Sequence, residues 1–176
     1  MPRQTLTCAG KKMRLLIQVM LITLAIHSTG CTDSNDKTLW GEAEYGMTPA
    51  QVLKVFHDAE KNPKPDTVKS SKSHVIIPSR IVHDVKFEVS FYFNDKGLAQ
   101  VTLESKPCSS SSSELMENLL REKYGTPISI KDYGIVRNLE WFDIPTSITL
   151  LYYPSPTDRT LYIIYNHGRN HAMDSL

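Results

Sequence analysis

The chain of 176 residues is 40% hydrophobic and 22% charged, which suits one core-bearing domain and argues against disorder throughout. Its formal charge of +1 is unevenly spread: Arg3, Lys11, Lys12 and Arg14 precede Cys31 with no acid among them, so 16 of the 20 basic residues stand against all 19 acidic ones beyond that point. A mildly acidic remainder speaks against general nucleic-acid binding, which needs a concentrated cationic surface to displace phosphate counterions.

Lys11, Lys12 and Arg14 lead into an apolar stretch, Leu15 to Ile26, broken only by Gln18 and Thr23, and then into the small residues Ser28, Thr29 and Gly30. Charge, apolar run and small residues in this order are those of a secretory signal. Twelve helical residues cover about 18 Å, short of a hydrocarbon core of about 30 Å, so a removable segment over 1–30 is expected rather than a spanning anchor. Met13 is a second possible start. Ser28-Thr29-Gly30-Cys31 resembles the lipobox of bacterial envelope lipoproteins. The resemblance implies that Cys31 is diacylated and becomes the mature N-terminus. It also implies an exported, lipid-anchored protein, with Thr32 favouring the outer membrane, facing the periplasm. Residues 31–38 then form a polar tether, 39–166 the folded domain and 167–176 a polar tail. Cys8 leaves with the signal and Cys108 remains; a Cys31 to Cys108 bridge in an oxidising compartment is the competing account of both residues.

Within the domain, Thr48 as N-cap, Pro49 at the first helical position and Gln51 three residues on make a capping box. Val52, Leu53, Val55, Phe56 and Ala59 form the apolar face of a helix ended by Asn62-Pro63-Lys64-Pro65. Residues 57–73 read as a polar loop, mobile and dispensable from Lys61 to Ser73, followed by a strand from Val75 that Pro78 interrupts. Val85, Phe87, Val89, Phe91 and Phe93 alternate with Lys86, Glu88, Ser90 and Tyr92, the period of a half-buried strand. Asn94 to Gly97 supplies a turn and Leu98 to Glu104 the returning strand. Ser111 and Glu114 announce a second helix with Leu115, Met116, Leu119, Leu120 and Tyr124 on one face, closed by Gly125 and Pro127. Three strands follow, at Ile135 to Phe142, Ser147 to Tyr153 and Thr160 to Tyr165. The expected fold is α+β: two α-β-β-β units building one antiparallel sheet with both helices on one face. Gly46-Met47-Thr48 with Gln51-Val52 resembles the opening helix of small envelope lipoproteins of the BamE/SmpA type and of beta-lactamase-inhibitor-like repeats, which implies a helix packed on an antiparallel sheet.

Familiar catalytic signatures are absent: no GxSxG, Walker A, GxGxxG or HExxH occurs. Neither an enzymatic activity nor a cofactor is expected. His167 and His171 stand four residues apart with Asp174 beyond, but Gly168 and the polar composition favour a solvated tail over a metal site. His57, His74 and His83 are scattered. The run Ser109 to Ser113 suits helix capping better than nucleophilic chemistry, which needs a positioned base. Cys108 near that helix start fits a small buried residue better than a thiolate favoured by the dipole. Lys61, Lys64, Lys69 and Lys72 make a basic loop suited to anionic lipid head groups, or simply to water. Alternation along the last strands puts Tyr92, Leu151, Tyr153, Tyr162 and Ile164 on the sheet face away from the helices, a tyrosine-rich patch of the kind protein interfaces place at their centres. A lipid-anchored envelope protein that binds another protein, in assembly, scaffolding or inhibition, is therefore the expected function. The rival is a small periplasmic hydrolase or metal-binding protein, which would show a deep pocket with convergent polar groups.

Overall fold

The computed structural model describes residues 37–157 and 159–168. It opens with β1 (Thr38–Trp40) and β2 (Ala43–Glu44), a two-stranded ribbon that brings the chain to the first helix. Helix α1 (Pro49–Val55) starts as the sequence predicts: the Thr48 Oγ1 accepts from the Gln51 N–H at 3.3 Å and the Gln51 side chain accepts from the Thr48 N–H at 2.8 Å. It is shorter than its apolar spacing predicts. Phe56 turns extended because its ring is drawn into the core, stacked on Trp40 at 5.7 Å and tilted on Phe91 at 5.2 Å.

The segment expected to be a free polar loop is tied down at both ends. Strands β3 (Glu60–Lys61) and β4 (Thr67–Val68) pair with β5 (Ser71–Val82), and Ser73 is fully buried. The Ser73 hydroxyl bonds to Asp66 and accepts from the Asn62 amide at 2.9 Å. Buried polar groups must find partners, and these partners come from the loop itself, so its order follows from hydrogen bonding rather than from apolar periodicity. Pro78 does not end the strand. The ladder to β6 (Val85–Asn94) slips between Ile77 and Arg80, a bulge that accommodates a residue without an N–H, and pairing resumes to Val82.

Strand β7 (Gly97–Ser105) returns from a tight turn, and α2 (Ser110–Tyr124) follows. Its cap is Ser109 rather than Ser111: the Ser109 hydroxyl accepts from the Ser112 N–H at 3.0 Å, and the helix starts two residues earlier than expected. Ser113, Met116 and Leu120 are the buried positions, while Leu115, expected on the apolar face, is 40% exposed. Gly125 closes the helix at φ 78. Then come β8 (Ser129–Asp132), which the sequence reading omits, β9 (Arg137–Asp143), β10 (Thr146–Tyr153) and β11 (Thr160–His167). The ends of the sheet region, Thr38 and His167, lie one residue outside the expected domain on either side.

The sheet is antiparallel, in the order β3-β5-β6-β7-β11-β10-β9-β8, with β4 added beside β5. The fold is therefore mixed α+β on one large sheet. One face carries Val75, Phe87, Phe91, Leu103, Leu150 and Ile163 into a single buried cluster with Val52 of α1, Phe56 just beyond its end, and Met116 and Leu120 of α2. Trp141, 1% exposed, caps that layer with its indole N–H donating to the Gly125 carbonyl at 2.9 Å.

Candidate functional site

The opposite face follows from the two-residue period of the same strands. Ladder partners line up in rows: Ser90, Thr102, Ile164, Thr149 and Glu140 form one, and Glu88, Glu104, Tyr162, Leu151 and Asn138 the next. All of these but Glu88 line, with Asp66, Val68 and Lys69 from the β4 segment, an open groove of about 590 Å³. Tyr92, Leu151, Tyr153, Tyr162 and Ile164, nominated from the sequence, all line it.

These five are not equivalent. Tyr153, 38% exposed, meets Tyr162 edge to face with ring centroids 6.1 Å apart. The Tyr162 hydroxyl donates to Glu104 Oε1 at 3.3 Å. Leu151 and Ile164 are half-buried between the tyrosines and the threonines. Tyr92 is roofed over: it is 6% exposed and its hydroxyl donates to Asp66 Oδ2 at 2.9 Å. Burial and the Asp66 carboxylate hold its phenol well above the ordinary tyrosine range. The loop carrying Asp66 thus covers the β6 end of the face and leaves the β10–β11 end open.

Carboxylates give the groove its sign. Glu88 stands opposite Glu104 across β6 and β7, and burial, then Glu104 and Asp66, push its carboxyl above the ordinary range. Glu140 Oε1 accepts from the Asn138 amide at 3.2 Å, and the buried Asn138 Oδ1 has no hydrogen-bond donor. Away from the groove, Arg80 pairs with Asp58 at 2.6 Å, and Arg121 and Arg137 with Glu117 at 2.9 and 3.1 Å. Glu104, Glu140 and Asn138 obey the alternation that placed the tyrosines but lack the aromatic signal by which the patch was read.

The other residues singled out from the sequence scatter. Among the described residues no three His, Cys, Asp or Glu side chains gather as metal ligands, and no helix is long and apolar enough to cross a membrane. His57, His74 and His83 are exposed, and His167, rather than lying in a polar tail, ends β11 with its ring 3.8 Å from that of Tyr45. Ser109 to Ser113 cap and begin α2. Cys108 is 2% exposed, its thiol bonded to the Ser109 carbonyl at 3.4 Å, and burial raises it away from thiolate. Lys61, Lys64, Lys69 and Lys72 are all exposed, with Lys69 at the groove edge. Cys31, His171 and Asp174 lie outside the described residues.

Comparison with known proteins gives no match to a family, to a curated protein or to a solved structure. The likeness to small envelope lipoproteins rests on Ser28 to Cys31 and on Gly46 to Val52 alone.

Proposed function

We propose that this chain is an exported lipoprotein, anchored to the outer membrane through acyl groups on Cys31, that works by docking another envelope protein on the open face of its sheet. One observation carries the docking role: the five residues nominated for binding line a single groove that the helices leave uncovered. Tyrosines are favoured at interface centres because they bring large contact area with little side-chain entropy to lose. The fold is read as two α-β-β-β units, α1 with β5, β6 and β7, then α2 with β9, β10 and β11; the junction of β7 with β11 at the middle of the sheet supports this. Lys61, Lys64, Lys69 and Lys72, all exposed, suit anionic head groups at about 1 kcal/mol for each well-placed charge.

Two measurements test this. Mass spectrometry of the mature N-terminus should find an acylated Cys31; an intact Gly30-Cys31 bond overturns the anchor. Cross-linking in intact envelopes should yield an adduct that disappears in Tyr153→Ala/Tyr162→Ala while the melting temperature holds. An adduct that persists overturns the docking face, and a matching loss of stability assigns the tyrosine pair to the fold.

A further inference from the structure

The carboxylates of Asp66, Glu104 and Glu140 line the groove together with one cation, Lys69. Glu104 accepts from the Tyr162 phenol and Glu140 from the Asn138 amide, and Asn138 Oδ1 has no donor among the described residues. Like charges crowded on one face repel, and a bound cation relieves them. Between the carboxylates lies the Tyr153 and Tyr162 pair, which offers ring faces as well as edges. Carboxylate beside aromatic ring suits a guanidinium, whose planar fork bonds the one and stacks on the other.

From this charge complementarity we propose that the occupant of the groove is an extended polypeptide segment of a partner protein bearing two arginines, one on Glu104 and the tyrosine pair, the other on Glu140. The inference rests on the docking role proposed above and adds the chemistry of the partner. Glu104 and Glu140 are three strands and one pleat repeat apart, through β7, β11, β10 and β9. At about 4.8 Å per strand and about 6.6 Å per pleat repeat the separation is roughly 16 Å. An extended chain advances about 13 Å over four residues and returns its side chain to the same side, so arginines at i and i+4 reach both sites with side-chain length to spare. A polypeptide fits better than a compact cation because the apolar strip of Leu151 and Ile164 between the carboxylates needs apolar partners.

The probe is a fluorescent nine-residue peptide of valine and threonine with arginines at positions 3 and 7, titrated against the full chain in detergent. Binding should weaken at least tenfold in E104Q/E140Q and fall with added salt, yet stay unchanged in E114Q/E122Q, which removes equal charge from exposed positions of α2. Thermal melting of each variant checks that the fold holds, and the amide isosteres retain the acceptor for Tyr162. Equal binding by both double variants, or by a peptide with norleucine in place of arginine, overturns the proposal. Displacement of the peptide by spermine at similar concentration overturns its polypeptide part. If the envelope adduct is lost in Tyr153→Ala/Tyr162→Ala but survives E104Q/E140Q, docking stands and the arginine chemistry fails. The converse pattern, an acid-dependent peptide site with an unaffected adduct, removes the docking role and keeps the cation site.

Discussion

At Gly97 a hydrogen atom in place of a methyl group decides whether the first helix can be seated. The residue sits at φ 101, and a Cβ there would overlap the backbone of Gly46. The two segments are stitched together, Gly46 N–H to the Leu98 carbonyl at 2.9 Å and Leu98 N–H to the Met47 carbonyl at 2.8 Å. Gly97→Ala is therefore expected to cost at least about 2 kcal/mol, from backbone strain and overlap together. Denaturant unfolding measures it, and an unchanged midpoint would mean that the Gly46 segment can move aside. Glu88 makes a pH-dependent prediction. Its carboxyl is raised in the folded state, so folding favours the protonated form; that contribution is complete below the unfolded carboxylate range and is lost as pH rises through the raised value. Glu88→Gln should be more stable than the parent at neutral pH, by no more than about 0.5 kcal/mol for an exposed site, with the gain fading in acid. A gain that grows as pH falls would reverse the sign.

Among the elements, the Lys61 to Ser73 segment separates composition from structure most clearly. Prolines, charges and absent periodicity read as a free loop, yet Ser73, Asp66 and Tyr92 make it a roof on the sheet. Replacing it by a short Gly-Ser linker should lower the melting temperature by several degrees, since it removes Ser73 with its hydrogen bonds and strips the buried Tyr92 of its Asp66 partner. A silent replacement would show that the roof carries no stability. Helix α2 was legible in type and in its end at Gly125, but serine repetition hid which hydroxyl caps it. Ser109→Ala should cost about 1 kcal/mol, while Ser111→Ala should be nearly neutral; equal costs would place the cap wrongly. Strand β8 carries no apolar alternation in its sequence, because an edge strand buries few side chains and leaves Ile130 exposed.

For the molecule as a whole, β7 and β11 join strands distant in sequence, with Leu103 opposite Ile163, both essentially buried. A continuous core across that seam should make unfolding one cooperative transition. Ile163→Ala is expected to cost about 2–5 kcal/mol, from lost burial and the cavity left behind, without splitting the transition. Two separate transitions in calorimetry would show that the halves on either side of the seam unfold independently.

Local chemistry alone decided the capping box of α1, the β6–β7 hairpin, the end of α2 and the facing of the tyrosines, because each depends on residues within a few positions of one another. Which strands meet, where α1 stops and what Ser73 bonds to depend on partners far along the chain. The tertiary structure alone set these: Phe56 leaves its helix for Trp40 and Phe91, and β11 lies beside β7 rather than at an edge. The site divides in the same way. Alternation put Tyr153 and Tyr162 on one face, but only the strand order brings Glu104 from β7 and Glu140 from β9 to either side of them, because pairing between distant strands is fixed by packing of the common core.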